Sequence, residues 1–508
     1  MGERHFLGIE LGSTRIKAVE IDSEFSTVSS GSYTWKSDYI NGLWTYSLEE
    51  VWRGLKTALE PFRGKSFDAA GISGMMHGYI ALDEEWNLLV PFRTWQNTVT
   101  AQAAEQLTEA FGFNVPQRWS IAHLYQALLN GEEHTARLAH ITTLAGYVHY
   151  MLTGVNAIGI GEASGMFPID SGTMDYDAAM VEKFNALAAE KGFTCDIREV
   201  LPRVLPAGAA AGQLTERGAE LIGGALRAGT PFVPCEGDAG TGMVATNSVA
   251  PRTGNVSAGT SIFSMVVLER PLRQVYEEID MVATPAGSPV AMVHCNNCTS
   301  DMNAWVGVFS ELLGSVGANV DPGDLFTLLY NKSLEGEADC GGLTVFNYLA
   351  GEGITHLDKG CPLVMRTADS RFTLANFIRA QLYATMSTLM LGMNILAEEN
   401  VVIDRLTGHG GLFKTPTVGQ KYMAAACGVP ITCMSTAAEG GPYGMALLAA
   451  YSFYTGMSLE DFLAEKVFSK VESSTLAPDE CDAAGFKAYL SRFAACLPVE
   501  EAAVGAMK

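Results

Sequence analysis

The sequence predicts an α/β protein made of two related halves, and three observations carry that expectation. Near the N-terminus, Gly8-Ile9-Glu10-Leu11-Gly12-Ser13-Thr14-Arg15-Ile16-Lys17-Ala18-Val19 reads as strand, small-residue turn, strand. About half the chain later the pattern returns, from Gly254-Asn255-Val256-Ser257-Ala258 through the turn Gly259-Thr260-Ser261 into Ile262-Phe263-Ser264-Met265-Val266-Val267. Between and after these hairpins, short apolar runs closed by glycine alternate with stretches of helical period, as a mixed sheet with covering helices requires.

Taken in order, residues 6–11 and 16–21 give the first two strands and residues 27–35 a third. Ser47-Leu48-Glu49-Glu50 is a capping box that opens a helix through about Pro61. Residues 68–73 read as a short buried strand ending at Gly74, before Met75-Met76-His77-Gly78. Residues 102–206 read as mainly helical, with breaks at Gly112, Gly131, Gly154 and Gly165. A strand at 230–234 leads into the loop Cys235-Glu236-Gly237-Asp238-Ala239-Gly240. After the second hairpin, helices are expected at 303–313, 374–399 and 417–427, with strands at 401–407 and 429–434. Glu439-Gly440-Gly441 opens a further helix. Within 374–399, Leu382, Met386, Leu389, Met393 and Leu396 recur at helical period and mark a core face rather than a cofactor contact.

The composition narrows the function. The 508 residues hold 33 Lys plus Arg against 56 Asp plus Glu, a formal net charge of −23 that argues against a nucleic-acid partner. Hydrophobic residues at 48% fit a sizeable core, and charged residues at 18% are too few for charge-driven disorder. No apolar run reaches the roughly 18 residues of a membrane span. The N-terminus lacks a signal-peptide pattern, and Phe6 stands where a myristoylation motif after Gly2 needs Ser or Thr. Ten Cys are ordinary for reduced thiols, so a cytoplasmic location is expected. The length allows three domains of roughly 150 residues, but the repeated hairpin favours two of about 250.

Two Gly-(Ser/Thr) turns, one per half, suit a polyphosphate. Glycine lets backbone N–H groups approach the phosphate, the hydroxyls of Ser13, Thr14, Thr260 and Ser261 add donors, and Arg15 or Lys17 adds charge. Each turn alone reads more readily as an ordinary hairpin turn; the pair is what suggests a site. Neither matches a P-loop or a Gly-x-Gly-x-x-Gly fingerprint. Asp238 follows an apolar strand, where a carboxylate can take the proton from an attacking hydroxyl, or else cap a turn or helix. Gly408-His409-Gly410-Gly411 can let a flat base or ribose lie on the backbone, or be a plain turn, and His77 can bond a substrate hydroxyl or be structural. Cys295-Asn296-Asn297-Cys298 has no second pair to complete a zinc site, so its thiols read as structural.

These pieces, in this order, resemble the FGGY carbohydrate kinases, most closely the xylulokinase-like branch. Residues 7–18 look like the family's first phosphate motif, and Gly71-Ile72-Ser73-Gly74-Met75-Met76-His77-Gly78 like its sugar-binding stretch. Gly237-Asp238-Ala239 looks like the catalytic-base loop and residues 254–261 like the second phosphate motif. Tyr348-Leu349-Ala350-Gly351-Glu352 looks like a later family block, and residues 408–414 with 439–446 like the adenosine region.

The resemblance implies an actin/hexokinase-like (ribonuclease-H-like) duplicated two-domain α/β fold with an interdomain cleft, and transfer of the ATP γ-phosphate to a ketose or polyol hydroxyl with Mg²⁺. The expected domains are 1–246 for sugar and base, 247–450 for nucleotide, and a helical segment 451–508 packing back on the first. Asp238 is then the base; Met76, His77, Trp95 and Asn97 lie on the sugar side; and Gly12, Ser13, Thr14, Arg15, Lys17, Gly259, Thr260, Ser261, Gly410, Gly411 and Lys414 lie on the ATP side. Glu10 stands where the family's usual Asp bears on Mg²⁺, one methylene longer. Met75 replaces a Gln, residues 95–99 lose an acid and a base of the family pattern, and residues 118–128 lack its Lys and Trp. These departures cluster on the acceptor side and bear on the sugar's identity more than on the fold. A homodimer is the family expectation. The alternative function is a catalytically weak nucleotide- or sugar-binding regulatory protein of the same fold.

Overall fold

The N-terminal hairpin forms because its apolar residues can be buried on both faces of a central strand. In the computed structural model, which describes residues 4–438, 440–454 and 456–507, β1 (Phe6–Leu11) pairs antiparallel with β2 (Arg15–Ile21), and β2 with β3 (Thr27–Thr34). β4 (Ala69–Gly74) runs parallel to β1, in register from Phe6↔Ala69 to Leu11↔Gly74, and β5 (Glu236–Gly237) runs parallel to β4. The neighbour order is β3-β2-β1-β4-β5. Every residue of β4, Ala-Ala-Gly-Ile-Ser-Gly, is buried, the pattern of a parallel strand covered on both sides. Part of the cover is the helix Gly441–Tyr451, whose residues from Pro442 to Ala450 are all buried. The helix comes so close that a Cβ on Gly8 would stand 1.9 Å from the Pro442 carbonyl oxygen.

The second sheet repeats this plan. β6 (Thr253–Ala258) pairs antiparallel with β7 (Ile262–Val267), which neighbours β8 (Pro289–Cys295). On its other side β6 runs parallel to β9 (Arg405–His409), and β9 parallel to β10 (Ile431–Met434). The order β8-β7-β6-β9-β10 matches that of the first sheet strand for strand, and β11 (Ser473–Leu476) adds antiparallel to β10. The repeat proposed from the two hairpins therefore extends to five strands of each sheet, the second sheet carrying further edge strands. The turns differ by one residue: Leu11 pairs with Ile16, whereas Ala258 pairs with Ile262. The helices Leu374–Glu398 and Glu480–Ala506 belong to this unit, where Arg379 of the first pairs with Asp482 of the second, both buried.

The chain divides into two units, but not at the expected places. One comprises residues 1–251, 267–290 and 439–471; the other comprises 252–266, 291–438 and 472–508. This division differs from the expected boundaries at 246 and 450 because residues 267–290 and 439–471 return to the first unit. The terminal segment is shared, its long helix Glu480–Ala506 lying with the second unit rather than the first. The strand expected at 230–234 is reduced to bridges at Pro231 and Phe232, and the pairing strand is Glu236–Gly237. Pro231 and Pro234 explain the shift, since neither has an N–H for a ladder. The strand expected at 401–407 begins only at Arg405. Residues 102–206 are mainly helical, with short strands such as Ala157–Gly159 between the helices, and Gly112 and Gly154 cap helices in the left-handed conformation. Gly2 and Glu439 lie outside the described residues. Among the described residues, no helix is long and apolar enough to cross a membrane.

Candidate active site

In the first unit the parallel strands β1, β4 and β5 end side by side, and their C-terminal ends deliver the chemistry-bearing residues. β1 supplies Glu10 and the turn Gly12-Ser13-Thr14, β4 runs out into Met75-Met76-His77, and β5 leads straight into Asp238, the first residue of the helix Asp238–Ala245. An acid at a helix N-terminus is favoured by the exposed N–H groups there.

Asp238 Oδ1 accepts from the Ala239 N–H at 2.9 Å and from the Met76 N–H at 3.3 Å. These bonds join the base loop to the stretch expected to hold the sugar. Burial raises the Asp238 carboxyl to a pKa of about 6, against the pull of these N–H donors. Thr241, one turn on, meets Ser73 Oγ of β4 at 2.9 Å and donates to the Gly237 carbonyl at 3.2 Å, so the helix is fastened to the sheet behind Asp238.

Glu10 lies across the ladder from Lys17. Its carboxyl is raised to about 8, first by burial and then by the charge of Asp238, with Lys17 opposing. A Cβ on Gly441 would stand 2.5 Å from Glu10 Oε2, so glycine at that helix start makes room for the carboxyl. Among the described residues no cluster of three His, Cys, Asp or Glu side chains is arranged to hold a metal ion. Hard oxygen donors in ones and twos still suit Mg²⁺, which keeps waters and shares its shell with phosphate oxygens.

His77 holds a left-handed backbone with φ 68°, followed by Gly78 at φ 91°. Its Nδ1 lies 2.9 Å from the Gly165 carbonyl, so that nitrogen carries the proton, and its ring stacks over Trp119 at 6.2 Å. The Gly12–Thr14 turn is gripped by aromatic donors. Trp35 Nε1 donates to the Gly12 carbonyl at 2.7 Å and Tyr46 Oη to the Ser13 carbonyl at 2.7 Å. Trp95 Nε1 donates to Ser13 Oγ at 3.2 Å. Turn carbonyls are thereby drawn inward, away from any anion. Thr14 and Arg15 are exposed and Lys17 is half-buried. Asn97 is spent differently from its sugar-side expectation. It is buried, accepts from Trp44 N at 2.8 Å and donates to the Trp44 and Thr94 carbonyls at 2.8 and 3.0 Å.

In the second unit the turn Gly259–Ser261 lies beside the loop after β9. Gly410 has φ 98°, and a Cβ there would stand 2.5 Å from the Ala258 carbonyl oxygen. Thr299 donates to the Gly259 carbonyl through both its N–H, at 3.1 Å, and its hydroxyl, at 2.7 Å. Thr260, Gly411 and Lys414 are exposed. The structure thus brings Gly259, Thr260, Ser261, Gly410 and Gly411 into one neighbourhood.

The model of the FGGY family of carbohydrate kinases, N-terminal domain, matches residues 5–245, and that of the C-terminal domain matches residues 254–453. The chain belongs to the FGGY family of carbohydrate kinases. It is 23% identical over 497 residues to xylulose kinase of Haemophilus influenzae, covering 93% of this chain and 95% of that one. In fold it is similar to ligand-bound xylulose kinase of Lactobacillus acidophilus, with TM-score 0.81, 15% identity, and 99% and 100% of the two chains covered. It is as similar to gluconate kinase of the same organism, with TM-score 0.80, 16% identity, and 98% and 99% covered. The chain is accordingly an ATP-dependent sugar kinase with the two-domain actin/hexokinase-like fold of this family.

As an FGGY kinase the chain carries features that its sequence did not announce. Asn296 and Asn297, read only as the middle of a CxxC, form a cradle for the Glu352 carboxylate. Asn296 N donates to it at 2.8 Å, Asn297 N at 3.2 Å and Asn297 Nδ2 at 3.0 Å. Asn297 Oδ1 also accepts from Leu349 N and Ala350 N at 2.8 and 2.9 Å, so this asparagine fastens the 348–352 block. Cys295 and Cys298 are buried, and burial pushes both thiols up, Cys298 to about 12, which makes them inert. Arg118 pairs with Asp280, and Glu162 and Glu236 are buried beside the base loop. Glu236 was visible in the sequence two places before Asp238; for Glu162 no local signal existed.

Proposed function

We propose that this kinase transfers the γ-phosphoryl group of ATP to a hydroxyl of a xylulose-like ketose or a related polyol, with Asp238 as general base. The observation that carries the reading is the placement of Asp238. It stands at a helix start, is oriented through Oδ1 by Met76 and Ala239, and has a pKa of about 6, ionised at neutral pH yet basic enough to accept a proton. As the sugar oxygen attacks the γ-phosphorus, its proton passes to the Asp238 carboxylate, the bond to the β–γ bridging oxygen breaks, and ADP leaves with that electron pair. Met76, His77 and Trp95 line the acceptor side, and Asn97 shapes that side through the Trp44 backbone. The turn Gly12–Thr14 with Arg15 and Lys17, the turn Gly259–Ser261, and Gly410, Gly411 and Lys414 serve the nucleotide. Glu10 would hold Mg²⁺, directly or through water, and the ion would supply charge neutralisation on the phosphates.

Support for a xylulose-like acceptor comes from the Haemophilus influenzae relative, a xylulose kinase. All ten cysteines are free, two of them exposed, which fits a reducing cytoplasm. The exposed Val308 and Leu312, four residues apart on the helix Ser300–Ser315, with exposed Val316 just past its end, fit a homodimer contact, which light scattering would test. The deciding experiment is a panel of ketoses, polyols and aldonates with Mg-ATP in a coupled ADP assay. Turnover with D-xylulose that Asp238→Ala abolishes while ATP still binds is expected. Wild-type turnover by Asp238→Ala would refute the base assignment, and sugar binding without turnover would favour a regulatory protein.

A further inference from the structure

We infer that Glu162 is a positioning residue for the base: its carboxyl, held in the protonated form, fills the space against Gly237 and fixes the turn that presents Asp238. The inference rests on the assignment of Asp238 as base.

The packing leaves no room for a side chain at that turn. A Cβ on Gly237 would stand 2.6 Å from Glu162 Oε2 and 2.2 Å from Met76 Cγ. The bare face of Gly237 therefore packs against both Glu162 and Met76, the residue whose N–H holds Asp238 Oδ1. On the next residue back, Glu236 Oε2 accepts from the Glu162 N–H at 2.9 Å. Its carboxyl lies over bare backbone, for a Cβ on Gly159 or Gly161 would stand 2.0 or 2.5 Å from its oxygens. The three consecutive residues Glu236, Gly237 and Asp238 are thus registered by Glu162 and Met76.

The charge balance decides the protonation state. Glu162 is 0% exposed and Glu236 1%. Neither oxygen of Glu162 is paired in hydrogen-bond geometry. The Thr143 hydroxyl accepts from Gly146 N at 3.2 Å, which leaves its O–H as the one donor turned toward Glu162, and this eases a charge there less than burial opposes it. The charges that bear on Glu162 are those of Glu236 and Asp238, both acidic; the Cys235 thiol and the Tyr176 phenol also face it, and burial keeps both neutral. Glu236 takes backbone N–H bonds from Gly161, Glu162 and Gly237, and Asp238 takes them from Met76 and Ala239. Two buried like charges in contact do not both persist, and the proton resides on the carboxyl without N–H donors. Burial accordingly pushes Glu162 well above the usual carboxylate range. Burial also raises Glu236 to about 8 in spite of its N–H bonds, so at neutral pH Asp238 carries the charge of this cluster, and loss of the Glu162 proton at alkaline pH sets a further negative charge against the base turn and displaces Asp238.

The test uses two neutral replacements of similar length, Glu162→Gln and Glu162→Met, in the full chain. At neutral pH, wild-type-minus-variant infrared difference spectra are expected to show the loss of one carboxylic-acid C=O band in both variants, the bands of protonated Glu10 and Glu236 cancelling. The melting temperature of the wild type falls as pH rises from acid to neutral, and both variants flatten that slope. In the ADP assay with D-xylulose, the alkaline limb of wild-type kcat moves up by about one pH unit or vanishes in both variants. Difference spectra without a lost carboxylic-acid band in either variant, or a limb that stays in place, overturn the inference. So does failure of both neutral variants to fold, since a neutral side chain is what the inference places there. The spectra and melting curves need no sugar, so a failure of the base assignment in Asp238→Ala is read separately.

Discussion

The indole N–H of Trp95 donates to Ser13 Oγ at 3.2 Å, joining the loop proposed for the sugar side to the turn proposed for the phosphates. Two functions that the sequence placed on separate segments therefore share one hydrogen bond. Trp95→Phe keeps most of the ring but deletes the bond, worth about 1 kcal/mol or roughly fivefold in kinetics. Initial-rate measurements are expected to show weaker ATP use and weaker sugar use together, with the melting temperature nearly unchanged. An effect on sugar KM alone would mean that the bond carries no coupling.

The base assignment fixes the acid limb of the pH profile. Asp238 must be ionised to accept a proton, and its pKa is about 6. In the ADP assay kcat/KM should halve near that pH and fall about tenfold per unit below it. A profile that is flat down to pH 5 would contradict the assignment.

Stability should run the other way. Burial raises Asp238 from the ordinary aspartate value of 3.8 to about 6, so the folded chain holds a proton there that the unfolded chain releases between those values. Folding takes up that proton, and the stabilisation is full in acid and lost as pH rises through about 6. Asp238→Asn cannot titrate, and its chemical-denaturation midpoint is expected to vary less with pH than that of the wild type between pH 4 and 7.

Gly165 has no room for a side chain, since a Cβ there would stand 2.8 Å from both His77 Nδ1 and Met76 Cε. Gly165→Ala pushes both residues off their positions at a cost of about 1–3 kcal/mol. The sugar KM should rise severalfold while ATP binding, followed by calorimetry, stays close to wild type.

In the second unit, Asn297→Ala removes the side-chain bonds to Leu349, Ala350 and Glu352 and leaves a buried carboxylate with fewer donors. A loss of about 2–4 kcal/mol in denaturant unfolding is expected, with the cysteines on either side irrelevant to it. Cys295→Ala should leave redox behaviour unchanged, since its thiol is buried.

Much of this was legible because the signals are local. Glycine turns between apolar runs located β1, β2, β6 and β7, and Ser47 does cap its helix by accepting from Glu50 N. Periodicity placed the helix Leu374–Glu398 to within a residue. What the sequence hid is tertiary. The strand expected at 230–234 slid to 236–237 because pairing partners, not apolar content, decide where a ladder forms. Asn97 read as a sugar ligand until the Trp44 backbone claimed its polar atoms. Glu162 and Glu236 lie 74 positions apart, and only the folded chain shows that they meet.

The path of the chain has a consequence for synthesis. It passes between the two units five times, and the first unit is completed only by residues 439–471. β1 emerges from the ribosome first, yet the helix that covers Gly8 begins at Gly441, more than four hundred residues later. The earliest strands must therefore wait, with an uncovered apolar face, until almost the whole polypeptide has been made. Nascent chains stalled before residue 439 should be protease-sensitive in β1 and β4 and recruit holding chaperones. A truncation at the midpoint of the sequence would yield neither unit intact.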